Sequence, residues 1–356
     1  MANDHNITSR QLVQRVLDGR PVPRPAVGPL AVHYCAAVAG VSIRDYTLNP
    51  EVLADCVIRY YHQFKPDAVW LSADTWVSAQ AMGARVDFPG ENQPLGGTGE
   101  PLIREASDIE RLSPPDPTSQ GRWPLMLDAL RRIRRALGDE VFIVACFDQY
   151  PFSLACAVMG IEAAMLAATE DRSMLQALMA RCADYAVAYA VALAQGGADL
   201  LSGGDSPAAL LGPKTYREIA LPFEQQVITR VKAATCLPVS LHMCGNAIPI
   251  LPDLAQCGTD VLELDQRTNL DTACKVIPPH MTIWGNVDPV AILTQGTPKD
   301  VEAAANALLR SMATAGRQRF IVSSGCTLTM QTPEPNLHAL VLSARSFRDQ
   351  CSPSQV

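Results

Sequence analysis

The chain has 356 residues, of which 48% are hydrophobic and 18% charged, with 29 Lys and Arg against 36 Asp and Glu for a net charge of −7. That is enough apolar surface for one large α/β barrel or two ordinary domains. The acidic balance argues against nucleic acid or an anionic membrane as a partner.

The first stretch, MANDHNITSRQLVQRVLDGR, lacks the apolar run of an export signal and reads as a helical extension over about residues 1–24. After it, a short apolar run followed by a turn and a helical pattern recurs eight times. The runs are PAVGPLAVHYC (25–35), DAVWLSAD (67–74), VFIVACFD (141–148), ADLLSGGD (198–205), PVSLHMCG (238–245), TDVLELD (259–265), MTIWGNVD (281–288) and RFIVSSGC (319–326). Helical patterns such as PEVLADCVIRYYHQF, PLMLDALRRIRRAL and TYREIALPFEQQVITRVKAA lie between them. Strands that are apolar on both faces and alternate with helices make a parallel sheet, and eight units predict a single (β/α)₈ TIM barrel with its active site at the C-terminal mouth. A doubly wound open sheet is the alternative. Residues 88–117, rich in Gly and Pro, rise from the second strand–helix loop and are expected to form a lid over the pocket.

No uncharged apolar run reaches membrane-spanning length, since the Ala-rich stretch 155–168 carries Glu162. Eleven cysteines without a regular framework fit a reducing compartment, so a cytoplasmic location is expected. Arg131, Arg132, Arg134 and Arg135 read as a solvated helix face. Nothing in the sequence specifies an oligomeric state.

Run after run ends in a side chain capable of chemistry: Asp74, Asp148, Asp205, Cys244, Asp265, Asp288 and Cys326. Each aspartate alone reads as a helix cap or turn former, but a barrel gathers all seven positions at one mouth. The sharpest motif is His242-Met243-Cys244, whose alternate residues share one strand face and can grip one ion. Cys326, at the end of the eighth run, is the candidate third ligand. One nitrogen and two thiolates suit zinc and leave a fourth position open. Cys35 and Cys146 fall on strand runs as alternative ligands. Cys56, Cys182, Cys236, Cys257 and Cys351 fall in helical patterns, at a helix end or in the polar tail. His280, at the start of the seventh run, reads as structural, and His33 is open.

Further markers follow the same order: Gly204-Asp205-Ser206-Pro207, Leu221-Pro222, His242-Met243-Cys244-Gly245-Asn246, Trp284-Gly285-Asn286-Val287-Asp288-Pro289, Gly296-Thr297-Pro298, Gly325-Cys326 and Thr332-Pro333-Glu334-Pro335-Asn336. In this series the chain resembles the uroporphyrinogen decarboxylase superfamily, and within it the cobalamin-dependent methyltransferase branch related to methylcobalamin:coenzyme M methyltransferases. The resemblance implies a (β/α)₈ barrel with His242, Cys244 and Cys326 as ligands of Zn²⁺. It also implies methyl transfer between methylcobalamin on a corrinoid protein and a small acceptor such as a thiol or tetrahydrofolate. No cobalt-ligating Asp-x-His-x-x-Gly element is found, and Asp4-His5 does not continue into one, so the corrinoid is expected on a separate partner protein. The decarboxylases' N-terminal Arg-Gln-Ala-Gly-Arg motif is missing, with no arginine between Arg24 and Arg44. A porphyrin carrying many carboxylates needs clustered cations.

A thiol is a poor nucleophile when neutral, and an open zinc site lowers its pKa. Asp205, Asp265 and Asp288 are the candidate catalytic residues for orientation or proton handling. The alternatives are a metal-free uroporphyrinogen decarboxylase-like lyase, a non-catalytic corrinoid- or tetrapyrrole-binding barrel, and a zinc hydrolase.

Overall fold

The computed structural model describes residues 7–89 and 92–347. Residues 1–6 of the expected extension, Gly90 and Glu91 of the expected lid, and Cys351 lie outside them. Eight parallel strands form the sheet: β1 (Ala26–Val27), β2 (Ala68–Leu71), β3 (Phe142–Gln149), β4 (Leu200–Gly204), β5 (Val239–Met243), β6 (Val261–Leu264), β7 (Thr282–Val287) and β8 (Phe320–Ser324). Their order is β1-β8-β7-β6-β5-β4-β3-β2. This is a nearly closed barrel, and the seam between β1 and β2 is bridged by the bond from Asp67 N to Val27 O at 2.8 Å.

Alternation along each strand divides the apolar residues into two cores. One parity, including Val69, Ile143, Leu201, Leu241, Leu262 and Ile283, packs outward against the helices. The other, including Ala68, Trp70, Phe142, Val144, Leu200, Val261, Trp284 and Ile321, fills the barrel's lower interior. The helix Ser9–Leu17 plugs the base beneath it, burying Leu12, Val13, Val16 and Leu17. The mutual bonds of Thr8 and Gln11 cap this helix and fix where it starts.

The first run, expected as strand through residue 35, holds the ladder only at Ala26 and Val27. Pro29 offers no N–H, and Leu30 N bonds the Ser324 hydroxyl instead of a ladder carbonyl. Gly28 is required here, because a Cβ on it would stand 2.5 Å from the Trp284 ring. Tyr34–Ala39 is helix, so Cys35 lies on a helix and not on a strand, its thiol bonded to Ala31 O. The pattern TYREIALPFEQQVITRVKAA divides into two helices, Gly212–Ile219 and Leu221–Thr235, with Pro222 in the first turn of the second.

The helix Arg172–Gly196 is long and apolar enough to cross a membrane by length and composition alone. It packs on the barrel instead, where Tyr189 stacks on Trp123 at 5.0 Å. The segment 88–117 is tied down over much of its described length. It includes the second strand of a short hairpin (Leu95–Gly96 paired with Val86–Asp87), Ile103 N bonds Val158 O, and Arg181 and Tyr185 hold the carbonyl of Ser113.

Candidate metal centre at the barrel mouth

Toward the mouth the interior parity turns from apolar to polar. Above Leu200, Val261 and Ile321 come Ser202, Glu263 and Ser323, with Ser240 beside them on β5. His242, Cys244 and Asp265 follow on the same parity. Register places Gly204 opposite His242 and His242 opposite Glu263.

His242, Cys244 and Cys326 meet at this level, with one ligand atom from each lying within 4.8 Å of the others. His242 Nε2 stands 2.9 Å from Cys244 Sγ, and the two sulfurs are 3.3 Å apart. The Cys244 thiol is lowered from its ordinary value, chiefly by its bond with Cys326. The Cys326 thiol is pushed up to about 12 by the same bond and by burial. Burial alone would lower His242, but its contacts with Cys326 and Glu263 outweigh this and raise it to about 10. One imidazole nitrogen and two sulfurs at these separations form a donor set that suits a soft dication, which would displace their protons on binding.

Glu263 was not among the residues expected at the site, yet it stands directly behind the histidine. It is 1% exposed, and its Oε1 accepts the hydroxyls of Ser202 and Ser240. Its Oε2 lies 3.4 Å from His242 Nδ1, and neither atom has another partner. A buried carboxylate facing the far nitrogen of an imidazole is the arrangement that orients a metal-binding histidine. The readable signal is a single acid in the apolar run VLEL, at the parity of Asp265.

The three expected catalytic aspartates take different places. Asp265 has interior parity, caps its own loop by accepting Arg267 N, and raises the neighbouring Cys244 electrostatically. Asp288 accepts the N–H groups of Val290 and Ala291 as a turn cap. Asp205 falls on the other parity and points into the helical layer, fully buried. Its Oδ1 accepts both the N–H and the hydroxyl of Ser153 at 2.7 Å. The structure therefore brings Asp265 to the cluster of His242, Cys244 and Cys326 and leaves Asp205 outside the barrel interior. Asp74 forms a buried pair with Arg122, and Asp148 accepts Ser78 N. Burial raises Asp148 to about 7, and its φ of 80° is in the left-handed region that few non-glycine residues adopt. His33 bonds Ala73 O beside the end of β2, and His280 is exposed ahead of β7. Among the described residues, Cys146 does not join the ligand cluster.

Asp205 Oδ2 and Glu224 Oε1 are both buried acceptors without a donor, and the two carboxyl groups bond one another. One proton between them satisfies both. Burial raises Asp205 to about 6, and burial followed by the Asp205 charge raises Glu224 well above the ordinary range. Both folded values lie above the unfolded ones, so the stability from this pair is present at low pH and is lost as pH rises through the folded values. Glu224→Gln keeps a donor toward Asp205 and an acceptor for the Tyr216 hydroxyl. The expected result is a melting temperature above wild type at about pH 8 and close to it at about pH 5. An equal shift at both pH values would contradict the shared proton.

The uroporphyrinogen decarboxylase (URO-D) family model matches residues 8–347. A methylcobamide:CoM methyltransferase MtbA of Methanosarcina mazei is 33% identical over 230 residues, covering 64% of this chain and 65% of that protein. The chain thus spans just under two thirds of the length of that relative. An MtbA of Methanosarcina acetivorans is 31% identical and covers 69% and 70% of the two chains. A uroporphyrinogen decarboxylase of Synechococcus sp. is 27% identical over 356 residues, covering 96% and 98%. The solved structure of a methyltransferase from Methanosarcina mazei superposes with a TM-score of 0.86 over 96% of this chain and 99% of its own, at 24% identity, which bears on the fold alone.

Proposed function

This chain belongs to the uroporphyrinogen decarboxylase family, and on that premise we propose that it is a zinc-dependent methyltransferase working between a corrinoid on a separate protein and a small thiol. The observation that carries this reading is the open Cys₂His set of His242, Cys244 and Cys326 at the mouth, with Glu263 behind the histidine. The names of the Methanosarcina relatives support methyl transfer and the corrinoid partner. Zinc held by these three side chains supplies the acidity that keeps an incoming thiol as its anion at neutral pH.

The chain's own residues supply placement and shielding. Glu263, anchored by two serine hydroxyls, fixes the imidazole so that Nε2 faces the sulfurs. Trp70 and Trp284, edge to face at 5.7 Å, fill the barrel interior below the site. Two cysteine sulfurs in the donor set keep the bound acceptor electron-rich, which favours a sulfur nucleophile over activation of water.

The decarboxylase reading is weaker on charge. Arg24 is spent at the barrel base on Asp67, Arg44 holds Phe88 O at an exposed position, and Arg122 is paired with Asp74. Arg24 and Arg122 are neutralised and Arg44 stands alone at an exposed position, which is short of the clustered cations a carboxylate-rich tetrapyrrole needs. The deciding test is the metal content of the purified protein by mass spectrometry. The expected result is about one zinc per chain. Protein that stays free of zinc after refilling under reducing conditions would overturn the zinc-dependent reading.

A further inference from the structure

We propose that Ser206 is a positioning residue for the metal ligands, clamping the Cys244 end of the His242–Cys244 pair to the end of β4. The inference rests on the zinc reading above.

Strand pairing between β4 and β5 ends at Gly204 opposite His242. Two further bonds continue the seam past that point. Asp205 N donates to His242 O at 3.1 Å, and Cys244 N donates to the Ser206 hydroxyl oxygen at 3.1 Å. The backbone of both strand-borne ligands is therefore held by consecutive residues of the same loop. A side-chain hydroxyl takes the second bond because the chain leaves β4 at Asp205 and winds into the short helical turn Ser206–Leu211. Having accepted Cys244 N–H with its oxygen, Ser206 holds the main chain of that residue at the point where the strand ladder has stopped. One hydroxyl thus fixes the backbone of the residue that carries the sulfur.

The clamp is braced from behind. The neighbouring Asp205 is locked by Ser153 of the helix Pro151–Met159, and its second oxygen meets Glu224 of the helix Leu221–Thr235. Glu224 in turn accepts the hydroxyl of Tyr216 at 2.5 Å. Turning Asp205 away from the barrel axis and Ser206 toward Cys244 are consequences of the same chain reversal. A hydrogen bond that fixes the backbone of a ligand residue sets the direction from which its sulfur approaches, which is how groups behind the ligands tune a metal site.

The test uses the full chain and titrates zinc against a competing chelator, with cobalt(II) as a spectroscopic substitute. Ser206→Ala is expected to weaken zinc binding by about 10–100-fold and to shift the sulfur-to-cobalt absorption. Ser206→Thr, which restores the hydroxyl, is expected to recover both, while the melting temperatures of the metal-free proteins stay together. Wild-type affinity and spectrum in Ser206→Ala would overturn the clamp alone. Equal losses in the Ala and Thr variants would also overturn it, since they mark a packing effect. Wild-type protein that binds no zinc would overturn the clamp together with the reading it rests on.

Discussion

On the proposed zinc reading, Cys244→Ala and Cys326→Ala are each expected to abolish metal binding and lower methyl transfer by about a thousandfold, while the barrel stays folded. The size follows from removing the acidity that makes the acceptor an anion, since about 4 kcal/mol of barrier is a thousandfold in rate. Folding should survive because both sulfurs lie at strand ends above the packed interior and neither belongs to the two apolar cores. Glu263→Gln provides the contrast. It retains the shape and the serine bonds but removes the charge facing His242 Nδ1, and its cost should be the about 10–100-fold typical of groups behind a ligand. Metal analysis beside a methylcobalamin assay checks both, with circular dichroism to confirm the fold. A Cys326→Ala protein that kept its metal and its rate would remove Cys326 from the site.

The largest effect on stability is expected at the opposite end of the barrel. Asp67 is fully buried and accepts both guanidinium nitrogens of Arg24 at 2.7 Å, Val27 N at 3.0 Å and the Ser9 hydroxyl at 2.7 Å. Through these bonds one carboxylate closes the β1–β2 seam and holds the N-terminal plug. Asp67→Ala strands a largely enclosed guanidinium and a buried N–H, a loss of about 3 kcal/mol. Urea unfolding should show that loss, with faster proteolysis between residues 17 and 26 as the plug loosens. A change below about 0.5 kcal/mol would show that the seam does not depend on this carboxylate.

The eight runs were legible because both faces of each strand are buried, which writes an apolar run into the sequence whatever the neighbours are. Strand length was less legible at β1, where Pro29 and the Trp284 ring over Gly28 end the ladder early and a helix takes up Tyr34 and Cys35. That His242, Cys244 and Cys326 would come together was legible because His242 and Cys244 share a parity and Cys326 ends a strand. Parity also explains the rest. Asp205 looks like Asp265 in the sequence, each following a strand, yet it sits one step out of phase and faces the helices. Glu263 was hidden because one acid between leucines reads as an interruption until its partners on β4 and β5, Ser202, Ser240 and His242, are placed beside it. Such contacts lie between strands tens of residues apart, and no local pattern encodes them.

The central claim is best tested in a single turnover. Zinc-loaded protein is mixed with methylcobalamin and then with a small thiol or with tetrahydrofolate, and loss of the methyl–cobalt absorbance is followed. The expected result is rapid demethylation with the thiol, dependent on zinc and absent in Cys326→Ala. Equal demethylation with and without zinc, or transfer to tetrahydrofolate alone, would contradict thiol activation at His242, Cys244 and Cys326.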